Sequence, residues 1–137
     1  TICESLEELL RQSDVLTLHV PLNAETVNLI GPAELRLLPS GAVLVNTSRG
    51  RVVDESALLS ALKSGQLVGA ALDVIETEQT SVDMKPDRDE LLAHASTHDN
   101  LLITPHIGGA TVESMAATEV FMANKLVRFL EDSFGDH

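Results

Sequence analysis

Arg49, Asp73, Glu76, Glu78 and His106 are the side chains of this 137-residue chain best suited to hold an anion and move a proton. The Arg49 guanidinium is a planar fork that matches a carboxylate, and Gly50 lets the backbone turn tightly beneath it. The His106 imidazole exchanges a proton near neutral pH, and a glutamate beside it favours the protonated ring. Asp73 needs a polar partner, because a carboxylate that ends a buried strand is costly to desolvate alone. His106 follows Arg49 by 57 positions, so only the fold can bring these groups into one crevice.

Other patterns compete for the same residues. Ser48, His106 and Asp73 have the types of a hydrolytic triad, but Ser48 stands in Asn-Thr-Ser-Arg-Gly and lacks the strained G-x-S-x-G elbow. His94 and His98 are spaced like metal ligands, without an evident third ligand. His19 reads as a packed or backbone-bonded histidine. Gly108-Gly109 ahead of a Thr-capped helix is a possible anion cradle.

The elements that must position these groups alternate. Ser5 with Glu8 reads as a capping box for a first helix ending near Gln12. Asp14 to Val20 is a short apolar strand closed by Pro21. Gly31-Pro32 opens a second helix that Pro39-Ser40-Gly41 stops. Ala42 to Asn46 is a second strand, and Asp54 caps a third helix over Glu55 to Ser64 that ends at Gly65. Leu67 to Val74 is a third strand whose Gly69, Ala70 and Ala71 let another backbone or a ligand pass close. A polar stretch holds a short helical segment over about Asp87 to His94. Leu101 to Thr104 is a fourth strand. Thr111 caps a long last helix expected to bury Val112, Met115, Met122, Leu126 and Phe129.

Apolar strands separated by helices call for a parallel sheet covered on both faces. Right-handed crossovers place all its strand C-termini on one edge, where ligands bind in such sheets. The residues there are His19 to Leu22, Asn46 to Gly50, Asp73 to Glu78 and Thr104 to Gly109. Brought together, they suit reduction of a 2-oxo acid: Arg49 anchors the acid and polarises its carbonyl, His106 supplies the proton, and a cofactor supplies the hydride.

Composition narrows the partners. Nine Lys and Arg against 21 Asp and Glu give a formal charge of −12, which repels a phosphate backbone. With three Phe and no Trp or Tyr there is little to stack on bases, so nucleic acid is excluded as a general partner. The 44% hydrophobic content supports a real core, yet no stretch approaches the ~20 apolar residues of a membrane span. The lone Cys3 forms no internal disulfide, which points to a reducing compartment, the cytoplasm.

The stretch Ser13 to Leu22, with Asn46 to Gly50, Gly69 to Val74 and Thr104 to Gly109, closely resembles the NAD-binding domain of the D-isomer-specific 2-hydroxyacid dehydrogenases. The order and spacing of these motifs resemble most the branch of D-3-phosphoglycerate dehydrogenases and hydroxypyruvate or glyoxylate reductases. The resemblance implies an α/β, Rossmann-like, doubly wound parallel sheet and an oxidoreductase that uses NAD, with NADP left open. It implies that Arg49 is the substrate arginine, His106 the catalytic histidine and Glu78 its carboxylate partner, with Glu76 a rival for that place. It further implies that Asp73 holds the nicotinamide carboxamide, and that Val20, Pro21, Thr26, Thr47, Ser48, Arg49, His106 and Gly108 belong to the dinucleotide pocket. A small 2-hydroxy or 2-oxo acid is the implied substrate, and a homodimer the implied state of the full-length parent.

Departures from the pattern are informative. None of the eight glycines forms G-x-G-x-x-G, so the strand, turn and helix that receive a pyrophosphate are missing. The acidic residue for the adenosine ribose and the separate substrate domain are missing too. Gln79-Thr80 stand where the family usually has a proline. Residues 1–137 are therefore expected to be the second half of a nucleotide-binding domain, a fragment that exposes its first strand as an unpaired edge. A dinucleotide-sensing, corepressor-type binding protein on the same fold is the alternative.

Overall fold

The computed structural model describes residues 2–76 and 86–134. The chain forms two compact units, Thr1–Pro105 and His106–His137.

In the first unit, α1 spans Leu6–Arg11, β1 Val15–Leu18, α2 Pro32–Leu37 and β2 Ala42–Asn46. A 3₁₀ turn over Gly50–Val52 leads into α3, Glu55–Ser64, which is followed by β3, Leu67–Leu72, α4, Pro86–Thr97, and β4, Leu101–Ile103. Local chemistry sets the helix ends. The Ser5 hydroxyl accepts the Glu8 N–H, but the Glu8 carboxylate takes the Glu4 N–H, so only half of the expected box closes on Ser5. Asp54 accepts the Ala57 N–H at 2.9 Å, and Gly65 leaves α3 in the left-handed region, φ 77°, where a Cβ would be strained. α4 runs three residues beyond the expected His94, and this stacks the His94 ring on that of His98, 3.9 Å between centroids. The His94 Nε2 meets the Asn100 Oδ1 at 2.8 Å.

The sheet is parallel, in the order β1-β2-β3-β4. Its last full row is Leu18, Asn46, Leu72 and Ile103, which aligns the four strand ends. β1 lies at an outer edge and pairs only with β2 among the described residues. Crossovers that step repeatedly in one direction, all right-handed, put their helices on one side of a sheet. Leu10, Leu35, Leu58, Leu62 and Leu91 accordingly pack with Leu16, Leu18, Leu44, Leu72 and Leu101 in a single core. Each fully buried Leu contributes about 1.5–3 kcal/mol. Burial alternates along the strands: Val15, Val68 and Leu102 are exposed, while Val43, Val45 and Ala71 are half-buried.

The second unit contains α5, Val112–Phe134. Thr111 caps it as expected, its hydroxyl accepting the Ser114 N–H at 3.1 Å. The expected burial does not follow: Val112, Met115, Met122, Leu126 and Phe129 are all exposed. A helical period specifies that an apolar face exists, and says nothing of what covers it. No helix of the described residues is long and apolar enough to cross a membrane.

Candidate active site

The loop after β2 is built on Asn46. This side chain is 1% exposed, so each of its polar atoms needs a partner. Its Oδ1 accepts the Ser48 N–H at 3.0 Å and the Ser48 hydroxyl at 2.8 Å, while its Nδ2 donates to the Arg49 carbonyl at 3.0 Å. The backbone at Arg49 is extended, φ −147°, which carries the strand alternation past its end: Asn46, Ser48 and Gly50 are buried, Thr47 and Arg49 exposed. One guanidinium nitrogen, Nη1, donates to the Ser48 carbonyl at 2.6 Å and fixes the near end of the fork.

The segment after β3 lies against this loop. The Asp73 N–H donates to the Asn46 carbonyl at 2.9 Å, extending the ladder by one step. On the other side the Thr104 N–H donates to the Leu72 carbonyl at 2.9 Å, and the Thr104 hydroxyl donates to the Asp73 carboxylate. Asp73 is 6% exposed, and this bond meets part of the cost of burying its charge. Gly50 packs so tightly on the backbone of Ile75 and Glu76 that a Cβ would collide with both.

The loop after β1 supplies the opposite wall of a cleft of about 620 Å³, lined by His19, Val20, Pro21, Leu22, Thr47, Ser48 and Arg49. One wall offers apolar side chains beside the His19 ring, and the other offers hydroxyls and a cation. Thr26 holds the wall in shape from behind: its hydroxyl donates to the Pro21 carbonyl at 2.7 Å and accepts the Asn23 N–H at 2.8 Å. His19 is exposed and in the cleft, its Nε2 3.0 Å from the Thr17 hydroxyl, so it is neither packed nor held by backbone as expected.

His106 opens the second unit, three residues after the end of β4. It is exposed and adopts φ 55°, a region that histidine enters more readily than most side chains but still with strain. Gly108 and Gly109 follow it, and the Ala110 N–H closes a turn on the Ile107 carbonyl at 3.2 Å.

Of the residues singled out from sequence, the fold brings Val20, Pro21, Thr47, Ser48 and Arg49 to one cleft. Asp73 follows β3 and is buried, its N–H bonded to Asn46 at the end of β2 and its carboxylate to Thr104 just after β4. Glu78 and the Gln79-Thr80 pair lie outside the described residues. Asn46, Thr104 and His19 lie within the strand-end segments read from sequence but carry no site role there; an Asn and a Thr that end strands are the signals that mark the first two.

A sequence model of the family described as D-isomer specific 2-hydroxyacid dehydrogenase, NAD binding domain, matches residues 1–108. The chain is 41% identical over 132 residues to the D-3-phosphoglycerate dehydrogenase of Escherichia coli (strain K12), covering 96% of this chain and 31% of that protein. It is 44% identical over 123 residues to the glyoxylate reductase of Thermococcus litoralis, covering 90% of this chain and 34% of that protein. The chain thus spans 31% to 34% of the length of these curated relatives. Among solved structures, a D-lactate dehydrogenase from Aquifex aeolicus complexed with NAD and lactic acid superposes with a TM-score of 0.76 at 34% identity, over 96% of this chain and 41% of that one.

Proposed function

Because the chain belongs to the D-isomer specific 2-hydroxyacid dehydrogenases through their NAD-binding domain, we propose that residues 1–137 form the second half of the nucleotide-binding domain of an NAD-dependent oxidoreductase. Its reaction interconverts a D-2-hydroxy acid and the corresponding 2-oxo acid, of the phosphoglycerate or hydroxypyruvate and glyoxylate type. On this reading, the glycine-rich phosphate loop and the substrate domain belong to the rest of the full-length enzyme, which works in the cytoplasm as a homodimer.

The observation that carries the reading is the cleft at the strand ends, where Arg49 shares one space with Val20, Pro21, Thr47 and Ser48. Its apolar wall suits a flat ring, and its hydroxyls suit ribose and phosphate oxygens. These residues, with Thr26, Asp73, His106 and Gly108, are the ones the family resemblance assigns to NAD, Asp73 accepting from the carboxamide. When bound, NADH supplies the hydride that reduces the substrate carbonyl carbon.

The chain's own residues do the rest. The Arg49 fork binds the substrate carboxylate and draws electron density from the adjacent carbonyl. The His106 imidazolium gives its proton to the carbonyl oxygen as that oxygen gains charge, and recovers it in the reverse direction. Glu78 stabilises the charged ring.

The test is NADH consumption by the full-length enzyme with hydroxypyruvate, glyoxylate and 3-phosphohydroxypyruvate. Turnover of at least one is expected. Silence with all three, together with micromolar NADH binding, would replace this reading with a dinucleotide sensor.

A further inference from the structure

Glu55 is the first residue of α3, a place where a carboxylate normally faces water and the helix N-terminus. Here it is 9% exposed and reaches across to the segment after β3. Its Oε1 accepts the Glu76 backbone N–H at 2.5 Å. A buried carboxylate is kept only where donors meet it, and a bond from a backbone amide to a charged acceptor is among the stronger ones available.

That bond completes a set of attachments between two functional segments. The chain leaving β2 is joined to the chain leaving β3 at its start, where Asn46 accepts the Asp73 N–H. The middle is joined by the contact of Gly50 with Ile75 and Glu76, and the end by Glu55. Arg49 directly precedes the middle attachment. The Arg51 Nε to Glu76 Oε1 pair also bridges the segments, but it is 3.9 Å long and half-exposed, and pairs of that kind contribute little. The Glu55 bond thus helps to hold Gly50 against Ile75, and with it the backbone from which the guanidinium of Arg49 enters the cleft.

We infer that Glu55 is a positioning residue for substrate binding, acting through the Glu76 amide and Gly50 on Arg49; this rests on the dehydrogenase reading above. Glu55→Leu in the full-length enzyme fills a similar volume without an acceptor, and Glu55→Gln keeps an oxygen acceptor without the charge. With Glu55→Leu, the KM for the 2-oxo acid is expected to rise on the order of tenfold, since displacements near 1 Å carry penalties of that size or more. The KM for NADH is expected to move by about twofold or less, and Glu55→Gln to restore most of the wild-type oxo-acid KM. Thermal melting of the same variants separates this from a purely structural role, which lowers the melting temperature and leaves the KM of the folded enzyme alone. An active wild type whose Glu55→Leu variant keeps its oxo-acid KM, or whose Glu55→Gln variant is as impaired as Glu55→Leu, overturns the inference alone. A wild type silent with every oxo acid overturns the dehydrogenase reading and this role with it.

Discussion

Gly50 and Ile75 meet backbone to backbone, with no room for a Cβ between them. The two residues follow different strands and belong to the two segments that carry Arg49 and Asp73. The glycine is required by space rather than by conformation, because Gly50 is not among the positive-φ glycines. Gly50→Ala is thus expected to push the segments apart and cost about 1–3 kcal/mol, as overpacking does. Gly65→Ala is the control: nothing lies within 4 Å of its Cβ position, and φ 77° makes the cost one of strain, about 1 kcal/mol. Denaturant unfolding gives both costs, and the oxo-acid KM should respond only to Gly50→Ala. Equal kinetics in the two variants would show that the close approach does not matter to the cleft.

Asn46→Asp is expected to damage the Arg49 loop more than its small change of shape implies. The variant replaces a donor to the Arg49 carbonyl with an acceptor, at a position 1% exposed. An unmet buried polar group costs about 1–3 kcal/mol, and two facing acceptors place the loss at the upper end. Unfolding in urea with and without the substitution measures it, and a change below about 0.5 kcal/mol, the range of an ordinary surface substitution, would contradict the role given to Asn46.

Much of this architecture is legible locally. β2 over Ala42–Asn46 and α3 over Glu55–Ser64, with Asp54 and Gly65 at its ends, fall where turn and cap chemistry put them. Those signals lie within a few residues of what they determine. β1 and β3 are shorter than expected, Asp14 and Asp73 each adding one backbone bond to β2 outside the strands proper. What depends on register was not legible. Thr104 meets Asp73, and Gly50 meets Ile75, only because parallel strands align their ends. The strands read as apolar throughout, whereas Val15, Val68 and Leu102 are exposed; composition records that a surface is apolar without recording what lies on it. The exposed side chains of α5 make the same point.

Leu44 tests the core that holds the strand ends in line. It is fully buried in the row Leu16, Leu44, Ala70 and Leu101. Leu44→Ala is expected to cost about 2–5 kcal/mol, read as a lower urea midpoint at unchanged slope. A cost below about 1 kcal/mol would mean that this side of the sheet is not packed as described.

Thr104→Val removes the hydroxyl that donates to the Asp73 carboxylate while keeping the shape of the side chain. The loss should be about 1–3 kcal/mol of stability. If Asp73 receives the carboxamide, the KM for NADH should rise in the same variant, more than the KM for the oxo acid. A rise confined to the oxo acid would remove Asp73 from the cofactor.

The most direct test of the whole account is Arg49→Lys in the full-length enzyme, measured by steady-state NADH consumption against oxo-acid concentration. Lysine keeps the charge in the cleft and removes the planar fork. A loss in kcat/KM on the order of a hundredfold is expected, with a higher KM for the oxo acid and a lower kcat, because the fork both anchors the carboxylate and polarises the carbonyl. Kinetics indistinguishable from wild type would place the substrate elsewhere and contradict it.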